Sequence, residues 1–433
     1  MFEGIGGLNR LGPEAQPARA ADDPGLWEHV FLFVAFLVFV GAFRTILSSS
    51  AIEQVGDAAP EQTFMRFAVY AVAILLAFRS CRAEVLDLIV GNKLLIAVLA
   101  YTVMSSLWAV DSGISLRRSV ALSLSGVFCA YAVLRFPLYR ILEMALLAVA
   151  VAVAVGFVAD LFLLERHSDG RMRGIFASPT FSGRIAAVGI LILVALWRVP
   201  GFLQRYDLVI LGLLVLFLYQ TNAISPMVAL FVALASFVLI WSRSKPEVIL
   251  KRSVVLGLLA LPCLAVAVTF FGDILDAMGR DATLTHRIFV WEAALDKGPE
   301  SVFLGSGFRS FWIWPYANDV MYNVFGSRNS RLGNGHSGYI DLWLELGFVG
   351  VALVAALFVQ LAVRSYRVLM ARPDPVVGFF PALLVFILIY SLPELVILEH
   401  SEITWMMFMI GILALSRPVL RLNANRQPQS ETA

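Results

Sequence analysis

The sequence predicts an all-α polytopic membrane protein with about 12 transmembrane helices and one large polar loop outside the bilayer. Three observations carry this. Hydrophobic residues make up 60% of the 433-residue chain and charged ones 15%, against about 45–50% and about 25% in soluble domains. The charges are clustered, so that Leu208 to Trp241 contains no ionisable side chain except Tyr219. Between residues 272 and 337 the pattern reverses, and polar, glycine-rich and aromatic sequence replaces the apolar runs. Lipid leaves backbone polar groups unsatisfied, so apolar runs of that length read as spanning helices.

In chain order, residues 1–26 hold Pro13, Pro17, Pro24 and scattered acids, without the basic start and short apolar core of a signal peptide. They read as a cytoplasmic tail. The spans are expected at about 27–47, 64–79, 94–110, 114–135, 138–164, 181–198, 206–221, 224–241 and 253–271, with boundaries good to about 2–4 residues. The outer loop 272–337 follows. Three more spans at about 338–363, 376–392 and 401–416 complete the membrane part 338–422, and 423–433 reads as a second polar tail. Trp27, Trp108, Trp197 and Trp241 fall at span ends, where indole prefers the headgroup layer. Cys81, Cys129 and Cys263 lie in or near apolar runs at no metal-ligand spacing and read as free thiols.

Cations favour the side that holds both termini, which places that side in the cytoplasm. On the opposite side the cations are arginines, with Lys297 as the exception. They gather around Arg166, Arg171, Arg173 and Arg184, and at Arg280, Arg287, Arg309, Arg328 and Arg331. Arginine's planar fork suits phosphate and carboxylate oxygens. An arginine-rich composition with ordinary surface pairing is the alternative.

Three motifs stand out. His336-Ser337 follows the flexible Arg331-Leu-Gly-Asn-Gly335 run and opens a helix on which Ser337, Asp341 and Glu345 recur every fourth residue. That spacing predicts an amphipathic helix at the outer interface, leading through Gly347 and Gly350 into the tenth span. A helix N-terminus favours a neutral imidazole able to accept a proton; a capping role is the alternative. In Thr283-Leu-Thr285-His286-Arg287-Ile-Phe-Val-Trp291, a threonine caps a short helix with Ile288, Trp291 and Leu295 on one apolar face. Arg287 then sits in the first turn, where a cation makes sense beside a bound anion; a salt bridge to Asp281 is the alternative. Ser182-Gly183-Arg184 opens the sixth span after Arg171-Met-Arg173, and Arg184 there is functional or snorkels to the headgroups.

Weaker signals are Trp312, Trp314 and Tyr316, suited to stacking on sugars or to an interfacial belt. Glu394, Glu399, His400 and Glu402 cluster without regular metal-ligand spacing, and no metal site is assigned. No Walker loop, dinucleotide glycine pattern or HExxH motif occurs, which removes support for cytosolic nucleotide chemistry, and nothing suggests a nucleic-acid partner.

His336-Ser337, nine residues, then Gly347-x-x-Gly350 resembles the signature of the O-antigen ligase and Wzy-type polymerase superfamily. Arg287 with Trp291, Leu304-Gly-Ser-Gly-Phe308, and Arg173-Gly-Ile-Phe176 with Pro179 and Arg184 are similar to that family's outer-loop residues. Ser225-Pro226 departs from the polar pair often found in the family, and Thr180 stands where relatives frequently carry Asn. The resemblance, strongest to an O-antigen ligase, implies a GT-C-like glycosyltransferase of the bacterial inner membrane with its active site facing the periplasm. It implies a glycan on undecaprenyl diphosphate as donor, lipid A–core as acceptor, membrane lipids as surroundings and no cofactor. His336 would be the general base. Arg184, Arg287 and Arg173 would hold the diphosphate, and Trp312, Trp314 and Tyr339 would contact acceptor or sugar. A polymerase or a protein O-oligosaccharyltransferase would share these residues. A polyprenyl-glycan transporter would instead carry charges along its spans.

Overall fold

A computed structural model describes residues 24–42, 60–80, 82–162, 170–197, 199, 204–241, 287–313, 315–326, 333–371 and 373–416. The described residues form helices and connecting turns, with no strand among them. In chain order the helices are α1 (Leu26–Val40), α2 (Pro60–Ser80), α3 (Arg82–Gly91), α4 (Lys93–Met104), α5 (Ser112–Arg135), α6 (Leu138–Phe162) and α7 (Pro179–Leu196). They continue as α8 (Asp207–Thr221), α9 (Ile224–Trp241), α10 (Arg287–Lys297), α11 (Tyr316–Phe325), α12 (Gly338–Ala371), α13 (Pro375–Tyr390) and α14 (Ile403–Ala414).

Among the described residues, α2, α5, α6, α7 and α12 are long and apolar enough to cross a membrane. Six shorter apolar helices accompany them: α1, α4 with its short 3₁₀ extension, α8, α9, α13 and α14. The expected ninth span, 253–271, lies outside the described residues, as do Thr283, Thr285, Asp281, Trp314, and Arg280, Arg328 and Arg331. The segment 82–91, expected as a connection, is a helix.

Side-chain caps set several helix starts. Asp111 accepts from the Ile114 amide at 2.9 Å, and Ser178 accepts from Phe181 at 3.2 Å just before Pro179. Asp374 does the same for Val376 at 2.9 Å before Pro375. Each cap satisfies a donor that the first helical turn leaves open. α7, α13 and α14 are buried nearly all round, as a helix at the centre of a bundle must be. α13 packs on α7, α9 and α12, while α14 packs on α5. A Cβ on Gly183 would lie 2.8 Å from the Pro226 ring, so glycine there lets α7 and α9 close together.

α12 bends sharply near its start. Gly347 takes φ +61°, ψ −168°, which separates a short entry helix from the long apolar helix beyond it. The turn at 302–307 fills the break. Phe348 and Val349 amides donate to the carbonyls of Val302 and Phe303 at 3.0 and 3.1 Å, and the Ser306 amide donates to Leu344 at 3.0 Å. A Cβ on Gly347 would lie 2.3 Å from the Phe303 carbonyl, and one on Gly305 equally close to that of Glu345. The glycines of Leu304-Gly-Ser-Gly-Phe308 thus serve this backbone-to-backbone approach.

Candidate active site

Three pieces of chain meet at the entry of α12: the start of α10, residues 333–337, and the segment 391–402 joining α13 to α14. Arg287, first residue of α10, places Nη2 2.7 Å from Glu394 Oε1, and its Nη1 donates to the Pro393 carbonyl. The other Glu394 oxygen, Oε2, lies 3.7 Å from His336 Nδ1, an ion-pair distance beyond hydrogen-bond reach. One carboxylate therefore faces both residues. Burial works against its ionisation, but His336 and the Arg287 guanidinium hold the Glu394 carboxyl below its usual range.

His336 itself sits at φ +55°, a backbone conformation few side chains adopt. It is held there from both sides of Gly335. The Gly335 amide donates to both Asp341 oxygens, at 2.9 and 3.2 Å, and its carbonyl accepts from Trp291 Nε1 at 2.7 Å. Trp312 Nε1 donates to the same Asp341 at 2.7 Å, and the His336 amide donates to Asn334 Oδ1 at 3.0 Å. Trp291 stands one helical turn after Arg287, so α10 sends one side chain to Glu394 and the next to the loop before His336. His336 Nδ1 is buried on the Glu394 side without a hydrogen-bond partner, while the ring as a whole is 41% exposed. Nε2 is thus the nitrogen turned outward.

Arg184 is buried one turn into α7. Its Nη1 donates to the Leu395 carbonyl at 2.8 Å, Nη2 lies 3.6 Å from Glu402 Oε1, and Nε has no partner. The guanidinium also rests over the Phe181 and Tyr390 rings, at 4.7 and 5.4 Å. Glu402 at the same time caps α14, accepting from Thr404 and Trp405 amides at 2.9 and 3.3 Å. Arg309, also at positive φ, pairs with Glu399 at 3.2 Å, and its carbonyl accepts from Arg118 at 2.8 Å. Burial opposes ionisation of Glu399, but Arg309 and Arg184 keep its carboxyl below the usual range.

The structure brings together Arg287, His336 and, through the same 393–402 segment, Arg184. Arg173 is partly buried with Nε unpartnered, and it forms no hydrogen bond with these three. Tyr339 donates to the Leu388 carbonyl at 2.8 Å, which ties the entry helix to α13. Trp312 differs from the sequence expectation. It is buried in a small core with Val290, Ala294, Phe311, Val320 and Leu344, its indole nitrogen spent on Asp341. The buried face of α10 is accordingly Val290 and Ala294, with Leu295 exposed. The expected solvent-facing stripe of Ser337, Asp341 and Glu345 points inward, and all three are buried. The reason is the partner chain segments: Gly335, Trp312 and Arg309 supply donors that water would otherwise supply. The acids at 394, 399 and 402 each meet an arginine, and among the described residues no three His, Cys, Asp or Glu gather as metal ligands. Arg287 pairs with Glu394 where Asp281 was the expected alternative.

Asp341 was visible only as part of a polar stripe and Arg309 only as one of the outer arginines; neither signal named its partner. The 391–402 segment carried more: three glutamates close behind an apolar run, in a chain rich in outer arginines.

Residues 208–355 match the family model Wzy_C, described as O-antigen ligase. Over this segment the chain is similar to the O-antigen ligase family. The segment contains Arg287, Trp291, His336, Asp341 and Gly347, whereas Arg184 and the glutamate segment lie outside it. The exopolysaccharide production protein ExoQ of Rhizobium meliloti (strain 1021) is 23% identical over 358 residues, covering 74% of this chain and 77% of that protein. The apolar helices mark a multi-pass membrane protein, and the similarity to this family implies glycan transfer of the ligase or polymerase type.

Proposed function

We propose that the chain is an O-antigen ligase, moving a glycan from undecaprenyl diphosphate to a sugar hydroxyl of lipid A–core at the periplasmic face of the inner membrane. The observation that carries this reading is the single Glu394 carboxylate set between Arg287 and His336. The acceptor hydroxyl gives its proton to His336 Nε2 as its oxygen attacks the anomeric carbon. The bond from that carbon to the diphosphate oxygen breaks, and undecaprenyl diphosphate leaves. One displacement inverts the anomeric configuration. Glu394 faces the imidazolium that forms, as the third member of a nucleophile–base–orienter set does. Arg287 and Arg184, with Arg173 further out, receive the charge growing on the departing diphosphate. The diphosphate is an activated leaving group, so no nucleotide or metal is required. Both termini are cytoplasmic, and 272–337 lies on the periplasmic side.

In a reconstituted assay with lipid-linked donor and lipid A–core, His336→Ala is expected to lose roughly 10²–10⁴-fold in turnover, the usual worth of general-base help. Donor binding should survive, and excess chelator should leave the wild type active. Retained turnover in that variant, or chelator loss reversed by magnesium or manganese, overturns the mechanism. The likeness to an exopolysaccharide production protein favours a second reading, polymerisation of repeat units on the same carrier. Gene deletion separates the two. Loss of a ligase leaves lipid A–core uncapped while carrier-linked long chains accumulate; loss of a polymerase leaves one repeat unit attached.

A further inference from the structure

We infer that the turn Val302-Phe303-Leu304 is embedded in the hydrocarbon of the bilayer, as a non-helical anchor that fixes the active-site entry helix at the membrane surface. Three observations carry this, and none depends on the transfer chemistry.

The first is exposure. Val302, Phe303 and Leu304 are 47, 68 and 39% exposed, unusual for three consecutive large apolar residues in a loop. An apolar patch of this kind marks a site of interaction. The second is its setting. The turn is stitched to two apolar helices whose own neighbouring residues are also bare. The Trp108 indole and Tyr101 hydroxyl donate to the Leu304 carbonyl at 3.2 and 3.4 Å, from the end of α4, where Met104 and Leu107 are 54 and 81% exposed. Phe348 and Val349, at the head of the long part of α12, are 53 and 37% exposed, and the Phe348 ring meets that of Phe303 edge-on at 6.3 Å. The patch thus continues the outward apolar surface of a candidate membrane span.

The third is the backbone. Non-helical chain is tolerated at membrane depth only when its polar groups are satisfied by protein. The Val302 carbonyl accepts from Phe348, the Phe303 carbonyl from Val349, and the Leu304 carbonyl from Trp108 and Tyr101. The Leu304 amide donates to Ser301 Oγ at 3.2 Å and the Gly305 amide to the Ser301 carbonyl at 2.7 Å. All three carbonyls are thus met inside the protein; the Val302 and Phe303 amides are not met among the described residues, which sets the turn at the shallow edge of the hydrocarbon, within reach of the headgroups. The occupant of this surface is bilayer acyl chain, and the loop expected outside the bilayer dips into it between α10 and α11.

Full-length protein with Cys81, Cys129 and Cys263 replaced by Ala tests this, carrying a single Phe303→Cys or, as comparison, Asn323→Cys on the exposed side of α11. Each is labelled with a small fluorophore and placed in nanodiscs of defined phospholipid free of polyprenyl lipid. Nitroxide-bearing acyl chains are expected to quench position 303 several-fold more than aqueous iodide does, with the reverse at 323. Val302→Cys repeats the measurement at a neighbouring side chain in case Phe303→Cys is not monodisperse. Iodide quenching at 302 or 303 equal to or above that from acyl nitroxide overturns the inference.

Discussion

The indole nitrogen of Trp291 donates to the Gly335 carbonyl at 2.7 Å, tying the helix that carries Arg287 to the residue before His336. Asp341 holds the amide of the same glycine, so the strained histidine backbone is clamped from both ends of one residue. A site built this way depends on groups that touch no substrate.

Trp291→Phe keeps an aromatic ring, though a smaller one, and removes the donor, leaving a part-buried carbonyl unpaired at a cost of about 1–3 kcal/mol. Turnover is expected to fall about tenfold or more, because 1.4 kcal/mol is tenfold in rate, while KM for the donor stays close to wild type. Steady-state assay of the reconstituted protein checks it. A pure rise in KM would assign Trp291 to donor binding.

Glu394→Gln leaves a group of the same shape without charge between Arg287 and His336. On the transfer reading, turnover falls by about 10²-fold, within the usual range of general-base help, and donor binding tightens because Arg287 loses its counter-ion. Arg287→Lys should recover little, since it offers a point charge in place of a fork. Donor titration beside single-turnover rates separates binding from chemistry.

Gly347→Ala should damage folding more than chemistry. The residue needs positive φ, and the added Cβ would meet the Phe303 carbonyl at 2.3 Å. The conformational part alone costs about 1 kcal/mol, and the collision adds to it. A lower thermal midpoint and aggregated extract are expected. Gly212→Ala, in α8 with open space at its Cβ, is the control and should extract normally.

Burial pushes the His400 imidazole down to about 3, and the Arg309 charge adds to the effect. Between the ordinary imidazole value and that one, the unfolded chain binds a proton the native chain does not. Stability therefore falls as pH drops below the unfolded value. His400→Gln removes this term, and its thermal midpoint should decline less from pH 7 to pH 5. For a partly buried group the difference at pH 5 is about 1 kcal/mol. Parallel pH profiles for the two proteins would show that His400 is not buried neutral.

Much of the fold was legible because lipid imposes a length and a polarity on each helix. The run 224–241 was expected and is observed over the same residues, and 138–164 ends within two residues of its helix. Residues 82–91 fell between the expected spans 64–79 and 94–110, yet they form a helix that helps seat α4 and α5. Arg287 and His336 were visible as polar residues at helix starts beside glycine. Their shared partner was not, because Glu394 is brought from 107 residues beyond Arg287 by the packing of α13 and α14. The inward turn of Asp341 was hidden for the same reason: periodicity gives the face of a helix, not what lies against it.

Arg287, Arg309 and Arg184 are matched in turn by Glu394, Glu399 and Glu402, all on one short crossing between two buried helices. The resting pocket is therefore self-neutralised. On the transfer reading, an incoming diphosphate does not fill a cationic void but shares each arginine with a carboxylate that is anchored elsewhere, Glu394 at His336 and Glu402 at the first turn of α14. Binding of the carrier is then weaker than bare arginines would make it, which on that reading keeps spent product from clogging the protein.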